Sequence, residues 1–452
     1  MIDFYHNYRS VGVPLVIHEK LIPEKNIFSI LVGKNGTGKS TFLGNLTTDI
    51  IKEISRRKKK NEIINGLDFY DSSSSGLPLE VISVSTSPFD KFPITSRSNK
   101  QKNYTYLGLR DINSTSFGLG YLSKIIGSLI ESIFKNPKQA SEICNVLEYL
   151  GYRDEINIIL DYNITPRQLE LLFSSNNIVE EFDNRTNLLF RRLNRQFFTN
   201  ADNSLNERKL GKLIRILQHI FETGFHYKNY NLLINRYGFN IVQNEISDVD
   251  NLIFLFEAGI IKLKDVLLSS IKDEQTFSIK DASSGEQSII LSILGIASKI
   301  KNDCLILIDE PEICLHPQWQ ETYIDILTNT FDKYKNCQFI IATHSPLIIS
   351  RLSFYNSFII DMESKEINSS DLFIDNSVDF QLANVFNFPG FKNEYLLRIA
   401  MSTFSNISKN KKFNLKDLEH FETLKDQSKY LNTQDPVFDL YKTLVELKEI
   451  YG

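Results

Sequence analysis

Cysteine is scarce in this chain, and its distribution excludes several kinds of site. The 452 residues include 4 cysteines, at Cys144, Cys304, Cys314 and Cys337. No two of them are separated by two residues, which excludes a zinc ribbon or a zinc hook. A chain of this length with so few cysteines does not fit a disulfide scaffold, and scattered thiols are typical of a reducing interior. The sequence therefore predicts a cytoplasmic protein.

Long apolar runs and an excess of positive charge are also missing. No uninterrupted apolar run reaches the roughly 20 residues that a membrane-spanning helix needs, and residues 1–10 lack the basic start and apolar core of a secretory signal. The 51 Lys and Arg residues against 55 Asp and Glu residues give a net charge of −4. This balance does not favour a basic coat dedicated to nucleic acid, and contact with DNA or RNA would need a local patch. We expect no membrane contact.

The chain does contain a glycine-rich loop between a predicted strand and a predicted helix. Ile27–Val32 is a short apolar run that predicts a buried strand, and Ser40–Leu46 opens a helix. The residues between them, Gly33–Ser40, fit the pattern GxxxxGK[ST] of a phosphate-binding (Walker A) loop. Glycines let the backbone wrap a phosphate, and the helix N-terminus adds partial positive charge. The predicted nucleotide-binding residues are Gly33, Asn35, Gly36, Gly38, Lys39, Ser40 and Thr41.

An acidic (Walker B) motif completes the predicted ATP site. Cys304–Ile308 predicts a buried strand, and Asp309 and Glu310 follow it directly. In such a site Lys39 would reach the β- and γ-phosphates, while Ser40 and Asp309 would bind Mg²⁺. Glu310 would polarise the attacking water as a general base. Without the phosphate loop, an acid pair at a strand end could equally form structural salt bridges.

Two further motifs lie in the second half of the chain. A predicted helix begins with four residues that form a short polar motif: Ser284, Gly285, Glu286 and Gln287. A serine followed by a glutamate at this spacing can also be an ordinary helix cap. His344 follows the predicted buried strand Gln338–Ala342, where it could contact a nucleotide or simply be satisfied by the backbone.

These four motifs occur in the order typical of an ABC-type ATPase head, and the chain resembles the SMC/RecF/OLD branch of that family. The resemblance implies an α/β fold, with a mixed sheet, flanking helices and a helical insertion. It implies that Ser284 and Gly285 close over ATP held by the opposite subunit, and that His344 is a catalytic residue that senses the γ-phosphate. His316 and Pro317 resemble the D-loop region, which shapes the dimer interface in that branch.

A finer resemblance concerns the partners. The segments 82–93 (ISVSTSPFDKFP), 104–110 (YTYLGLR) and 386–398 (FNFPGFKNEYLLR) resemble the PtuA ATPases of Septu-type anti-phage systems, including those attached to retrons. AriA of the PARIS system is a close competitor. The PtuA resemblance implies a homo-oligomeric ATPase that regulates an HNH-type nuclease, PtuB. After His344 we find no Asp-x-Asp pair for a Toprim nuclease, so any cleavage is predicted to belong to a partner chain.

The alternative function is a DNA repair or clamp ATPase of the RecF/SMC type. Its DNA contacts would come from Arg56–Lys60 and from Arg191, Arg192 and Arg195. A charge run is more often a solvated face than a binding site. Nucleic acid is therefore a possible partner but not the leading prediction.

Four domains are predicted along the chain. They are an N-terminal lobe with the phosphate loop at 1–120, a helical insertion at 121–255, a C-terminal lobe at 256–365, and a helical region for oligomer or partner contacts at 366–452. Apolar residues at three- and four-residue spacing, without a sustained heptad, favour a compact insertion over a long coiled coil. The glutamine that ABC-type heads place between the lobes has one nearby candidate, Gln101, whose role stays open.

Overall fold

A computed structural model describes residues 12–65, 77–94, 103–110, 117–174, 193–200, 204–223, 229–241, 249–352, 355–373 and 376–452. The described strands are β1 (Ile27–Val32), β2 (Glu80–Ser85), β3 (Tyr104–Leu107), β4 (Ile156–Tyr162), β5 (Asn229–Asn235), β6 (Gly238–Ile241), β7 (Ile261–Ser269), β8 (Thr276–Ser278), β9 (Cys304–Asp309), β10 (Gln338–Ala342), β11 (Ser357–Asp361) and β12 (Ile367–Ser369). The described α-helices are α1 (Lys39–Asn65), α2 (Phe117–Lys135), α3 (Lys138–Tyr149), α4 (Pro166–Phe173), α5 (Glu207–Thr223), α6 (Val249–Ala258), α7 (Ser284–Ala297), α8 (Pro317–Phe331), α9 (Pro346–Ile349), α10 (Val378–Asn384), α11 (Glu394–Asn410), α12 (Leu415–Ser428) and α13 (Pro436–Tyr451). No helix within these ranges has the length and apolar character that a bilayer crossing requires.

The larger of two sheets in the described chain carries the predicted site. Its strands lie in the order β12–β11–β1–β10–β9–β2–β3. Neighbouring strands are parallel except for the antiparallel pair β11 and β12. Every residue of β1 and β9 is buried, as expected for parallel strands with both faces covered. The predicted strands at 27–32 and 304–308 are confirmed.

Helices cover both faces of this sheet because successive side chains of each strand point to opposite sides. In β9, Leu305 and Leu307 pack into a cluster that includes Leu43 of α1. The alternate residues, such as Ile306, pack into a second cluster that includes Ile293 of α7. The sheet therefore forms the middle layer between α1 on one side and α7 on the other.

The segment 121–255, predicted to be a helical insertion, also contains strands. β4, β5 and β6 join β7 and β8 in an antiparallel sheet with the order β6–β5–β4–β7–β8. The side chains of β4 alternate between buried and half-buried, and this strand pairs with β5 and β7, which lie far along the chain. Those distant partners outweigh the local helical spacing, so the insertion is mixed rather than helical.

The second sheet also crosses one predicted domain boundary. β7 and β8, which follow Gly259, pair antiparallel as a hairpin. However, β7 pairs with β4 of the insertion, and residue 256 lies inside α6. The described strands therefore do not separate at the boundary that the sequence favoured.

The C-terminal helices α10–α13 build a hydrophobic cluster of their own. Leu396, Phe421 and Leu444 are among its buried members. The apolar side chains of the segment 386–398 divide between this buried cluster and the surface. Leu396 is fully buried, whereas Phe388 and Phe391 are 65% and 61% exposed.

Candidate nucleotide site

The residues of the predicted site meet at one edge of the larger sheet. Leu31 of β1 lies beside Ala342 of β10, and Ala342 lies beside Asp309 of β9. Because these strands are parallel, the segments that follow them leave the sheet on the same side. The phosphate loop, the acidic pair and the His344 segment are therefore brought together by strand register alone.

The phosphate loop has the backbone conformation that its glycines permit. Gly33, Gly36 and Gly38 have φ angles of 143°, 85° and 90°, in the region that residues with a Cβ rarely adopt. The loop is closed by Thr37, whose hydroxyl donates to the carbonyl oxygen of Lys34 at 2.9 Å. Asn35 is exposed on the loop, and Thr41 is exposed in the first turn of α1. Helix α1 then begins at Lys39, so the free N–H groups of its first turn face the loop.

Lys39 is buried at the centre of the site. Its side chain is 4% exposed, and its ammonium group donates to the Gly33 carbonyl oxygen at 2.9 Å. The same group lies 2.6 Å from Nε2 of His344. Burial lowers the pKa of Lys39, although the nearby carboxylates of Glu310 and Glu312 oppose this shift. A phosphate group bound beside Lys39 would supply a negative charge that stabilises its desolvated ammonium group.

Ser40 and Asp309 form the pair predicted to bind Mg²⁺. The Ser40 hydroxyl donates to Oδ1 of Asp309 at 3.0 Å, and Asp309 is 1% exposed. Burial raises the pKa of Asp309 to about 7, against the hydrogen bond from Ser40. Hard oxygen donors of this kind fit Mg²⁺, which is usually held by one or two protein oxygens together with phosphates and water. No cluster of three or more His, Cys, Asp or Glu side chains suited to a metal occurs in the described ranges.

Glu310 lies at the turn after β9 in a strained conformation. Its φ of 50° places a non-glycine residue in the left-handed region, and its N–H donates to the Ala342 carbonyl oxygen at 2.9 Å. Such strain is common at functional sites. Its Oε1 atom lies 3.1 Å from Nε2 of His344. Burial would raise the pKa of Glu310, but the hydrogen bond and charge of His344 outweigh it, so the pKa is lowered. The carboxylate is therefore ionised and available as a base.

Glu312 is a site residue to which the sequence analysis assigned no role. Its Oε1 atom accepts a hydrogen bond from the backbone N–H of His344. Burial, together with the negative charge of Glu310, raises the pKa of Glu312 to about 8. Glu312 thereby ties the turn after β9 to the turn after β10. The spacing DEPE was visible in the sequence, but the contact with His344 arises only from the fold.

Two substitutions of Glu312 should distinguish the effect of its hydrogen bond on turnover from the effect of its ionisable group. Glu312→Gln keeps an oxygen that can accept the His344 N–H and should keep a turnover rate near that of the wild type. Glu312→Ala leaves that N–H unpaired, so kcat for ATP should fall roughly 5- to 150-fold. Steady-state kinetics checks this, with Glu321→Ala on α8 as the matched control. Equal kcat values for the Gln and Ala variants would contradict the assignment.

The stability of the wild type and that of Glu312→Gln should depend differently on pH. The folded state keeps the Glu312 proton above the ordinary pKa of 4.5 and releases it near pH 8, whereas the unfolded state releases it near the ordinary value. The contribution of this group to stability therefore falls as pH rises through that window. Thermal unfolding should show wild type losing more stability than Glu312→Gln between those two pH values.

The Ser284 motif begins α7, but Ser284 itself is not the cap. Ser283 is the N-cap residue, and it forms a reciprocal capping box with Glu286. Ser284 is exposed at the first helical position, whereas Gly285 is buried against the Cys314–His316 segment. A Cβ atom at Gly285 would lie 3.1 Å from the Cys314 carbonyl oxygen. The capping interpretation therefore applies to Ser283 and Glu286, which leaves Ser284 free to contact another molecule.

Gln287 and His316 have local structural partners. The Gln287 amide donates to the Ala282 carbonyl oxygen at 2.9 Å. His316 is the N-cap of α8 and accepts from the Gln318 N–H, with Pro317 at the first helical position. In the described part of the chain, no hydrogen bond joins residues 284–287 to residues 33–41. The motif and the loop of one chain therefore do not form a single hydrogen-bonded site.

The loop after β2 is pinned by a network that sequence reasoning missed. Asp90 is 2% exposed and accepts a 2.6 Å hydrogen bond from the Tyr106 hydroxyl, while Arg110 donates to its Oδ1 atom at 3.2 Å. A Cβ atom at Gly44 of α1 would lie 2.3 Å from the Lys91 carbonyl oxygen, so glycine is required for this close approach. The loop is thus held against the helix that follows the phosphate loop. Gln101 lies outside the described residues.

Several other predicted residues lie apart from this site or outside the described ranges. Arg191 and Arg192 are outside those ranges, and so are the side chains of residues 58–60. Arg57 pairs with Glu53 on α1 at 2.9 Å, which fits an ordinary solvated helix face.

Comparison with protein families shows the family to which the chain belongs. A family model described as AAA ATPase domain matches residues 89–349, more than half of the chain. The chain belongs to the AAA ATPase domain family. This membership, together with the larger sheet, confirms the predicted α/β ATPase fold with a mixed sheet and flanking helices. The matched residues 89–349 of this chain contain the Ser284 motif, the acidic strand and His344, and the phosphate loop precedes them.

Three curated relatives point to the same group. Retron Ec83 probable ATPase of Escherichia coli is 24% identical over 370 residues, which cover 74% of this chain and 66% of the relative. Retron Vc95 probable ATPase of Vibrio cholerae serotype O1 biovar El Tor is 31% identical over 166 residues, covering 33% and 30%. Septu protein PtuA of Bacillus thuringiensis is 32% identical over 151 residues, covering 28% and 37%. The chain thus spans less than two thirds of each relative, and the predicted resemblance to retron and Septu ATPases is confirmed.

Proposed function

We propose that this chain binds ATP with Mg²⁺, hydrolyses it, and uses the nucleotide to control a partner nuclease in an anti-phage defence complex. The observation that carries the ATPase part is the cluster of Lys39, Ser40, Asp309, Glu310 and His344 at one sheet edge. Each of these residues has the chemistry that its predicted role needs. The family and the names of the relatives support the same proposal.

Binding of the triphosphate follows from the charges of the loop. Backbone N–H groups of the loop and of the first turn of α1 would donate to phosphate oxygens. The Lys39 ammonium group would exchange its contact with His344 for the β- and γ-phosphates. Ser40 and Asp309 would hold Mg²⁺, which when bound neutralises charge that develops on the phosphates.

Hydrolysis would use the ionised Glu310 carboxylate. A water molecule held between Glu310 and the γ-phosphate would lose its proton to Glu310 as its oxygen attacks the γ-phosphorus. The bond from that phosphorus to the oxygen bridging to the β-phosphate would break, so that ADP leaves with the bridging oxygen and inorganic phosphate is formed. The strained turn and the hydrogen bond from its N–H to Ala342 fix the direction of this carboxylate. His344 would hold a γ-phosphate oxygen from the β10 side. Glu312 would position His344 through its backbone N–H.

We propose further that two copies of the chain close two composite sites. Ser284 is exposed at the N-terminus of α7, where backbone N–H groups are free to bind an anion. The structure of one chain forms no hydrogen bond between this motif and its own phosphate loop within the described ranges. Ser284 and Gly285 of one copy would therefore contact the γ-phosphate held by Lys39 of the other.

Mixing two inactive variants tests this pairing. Ser284→Arg blocks the motif and Lys39→Met disables the loop, so each variant alone should lose ATPase activity. A mixed pair retains one intact site, and random pairing of equal amounts should restore about a quarter of the wild-type activity in a two-fold symmetric dimer. The ATPase rate of the mixture is measured against Ser402→Arg, an exposed serine on α11, as the control. Absence of any recovery, with both variants folded, would contradict the composite site.

Control of a nuclease is tested by isolating the complex. The tagged chain is purified from its native host with ATP and Mg²⁺, and stoichiometric partners are identified by mass spectrometry. A small nuclease in fixed ratio would support the proposal. DNA recovered with repair or replication proteins, without a nuclease, would instead favour a clamp ATPase.

A further inference from the structure

Tyr430 lies in the C-terminal helical unit, in the turn between α12 and α13. Its N–H donates to the Gln427 carbonyl oxygen at 2.9 Å. The next residue, Leu431, is 8% exposed and belongs to the buried cluster of the C-terminal helices. The backbone is therefore anchored on both sides of Tyr430. The Tyr430 ring itself is not buried, because the residue is 45% exposed.

This ring reaches the phosphate loop through Lys34. The Lys34 ammonium group lies 5.2 Å from the centroid of the Tyr430 ring, within the range of a cation–π contact. Lys34 is also part of the loop that wraps the phosphates, because its carbonyl oxygen accepts from the Lys39 ammonium group at 3.3 Å. A residue far along the chain thus places an aromatic ring in contact with the Lys34 side chain of the phosphate loop.

The order of the sheet indicates which end of a nucleotide would face Tyr430. Asp309 is the last residue of β9 and His344 follows β10, and both strands lie on one side of β1. In the proposed function these two residues mark the γ-phosphate end. On the other side of β1 lies β11, and Met362 after β11 donates its N–H to the Val32 carbonyl oxygen at 2.9 Å. Glu363 follows, with a carboxylate oxygen 3.9 Å from the Lys34 ammonium group. The Lys34 cluster therefore lies on the side of the loop away from the γ-phosphate.

We infer that Tyr430 is a platform on which the base of the bound nucleotide stacks. This inference rests on the proposed function, because it assumes that the triphosphate occupies the Gly33–Ser40 loop. A nucleobase presents a flat π-face to an aromatic ring, and that contact is favourable for every base. The C-terminal helical unit would then contribute to the same site as the head. Nucleotide binding would draw these two parts of the chain together.

The test compares a ligand that has a base with one that lacks it. Tyr430→Ala should weaken ATP binding roughly 5- to 150-fold, the cost of losing one stacking contact. Binding of inorganic tripolyphosphate should be unchanged, and Tyr430→Phe should bind ATP like the wild type. Both affinities are measured by calorimetry on the full chain with Mg²⁺. Tyr237→Ala is the matched control, because Tyr237 is 94% exposed in the turn between β5 and β6.

A second readout does not depend on affinity. The triphosphate of 2-aminopurine riboside, whose fluorescence is quenched by stacking, should be more strongly quenched at saturation by wild type than by Tyr430→Ala. Equal loss of ATP and tripolyphosphate binding in Tyr430→Ala, or no loss of ATP binding, would overturn the inference. Failure of the wild type to bind ATP any better than Lys39→Met would instead overturn the proposed function.

Discussion

Replacing Glu310 by glutamine is expected to abolish turnover while leaving ATP bound. The amide has nearly the same shape as the carboxylate but cannot accept a proton from water. General-base catalysis contributes roughly 100- to 10,000-fold to such reactions, so kcat should fall by a factor in that range. Because the γ-phosphate is no longer removed, the variant should accumulate ATP-bound pairs of the chain. Single-turnover hydrolysis and light scattering with ATP measure the two effects.

The matched control is Glu274→Gln. Glu274 also has a positive φ, of 54°, but its side chain is 78% exposed. This control should hydrolyse ATP like the wild type and should dissociate afterwards. Turnover of Glu310→Gln at the wild-type rate would contradict the assignment of Glu310 as the base. A Glu310→Gln protein that binds ATP and remains monomeric at every concentration would contradict the pairing of chains.

Replacing Lys39 by methionine is expected to weaken ATP binding itself. Methionine preserves much of the buried stem but removes the positive charge that would face the phosphates in the proposed site. A hydrogen bond to a charged group is worth about 1.5–3 kcal/mol, so ATP should bind roughly 10- to 150-fold more weakly. Calorimetric titration with ATP and Mg²⁺ gives the dissociation constant directly.

The control for this substitution is Lys272→Met in the exposed turn between β7 and β8. It should leave the affinity for ATP unchanged. Circular dichroism establishes that both variants are folded, since Lys39 is buried among carboxylates and its loss alters their electrostatics. Wild-type affinity in a folded Lys39→Met variant would show that ATP does not bind at this loop.

The parts of the site that were predictable are those that adjacent residues encode. The phosphate loop follows from glycines that need positive φ and from the strand and helix around them. Asp309 and Glu310 follow the continuous apolar run Cys304–Ile308. Such features depend on residues within about ten positions of each other, so one sequence is enough to reveal them.

The parts that were missed depend on distant contacts. The strand β4 was hidden within a helical pattern, because its neighbours β5 and β7 come from later segments. The role of Glu312 depends on the backbone N–H of His344, and the position of Tyr430 depends on Lys34 near the other end of the chain. The choice between Ser283 and Ser284 as helix cap also needed backbone geometry. Both serines fit the sequence rule, and only one accepts the hydrogen bond from Glu286.

The most direct test of the central claim is a structure of Glu310→Gln with ATP and Mg²⁺. We expect a pair of chains with ATP between Lys39 of one copy and Ser284 of the other, and with Ser40 and Asp309 beside the metal ion. ATP bound to a single chain, with Ser284 exposed to solvent, would contradict the composite site. ATP bound away from the Gly33–Ser40 loop would contradict the proposed function as a whole.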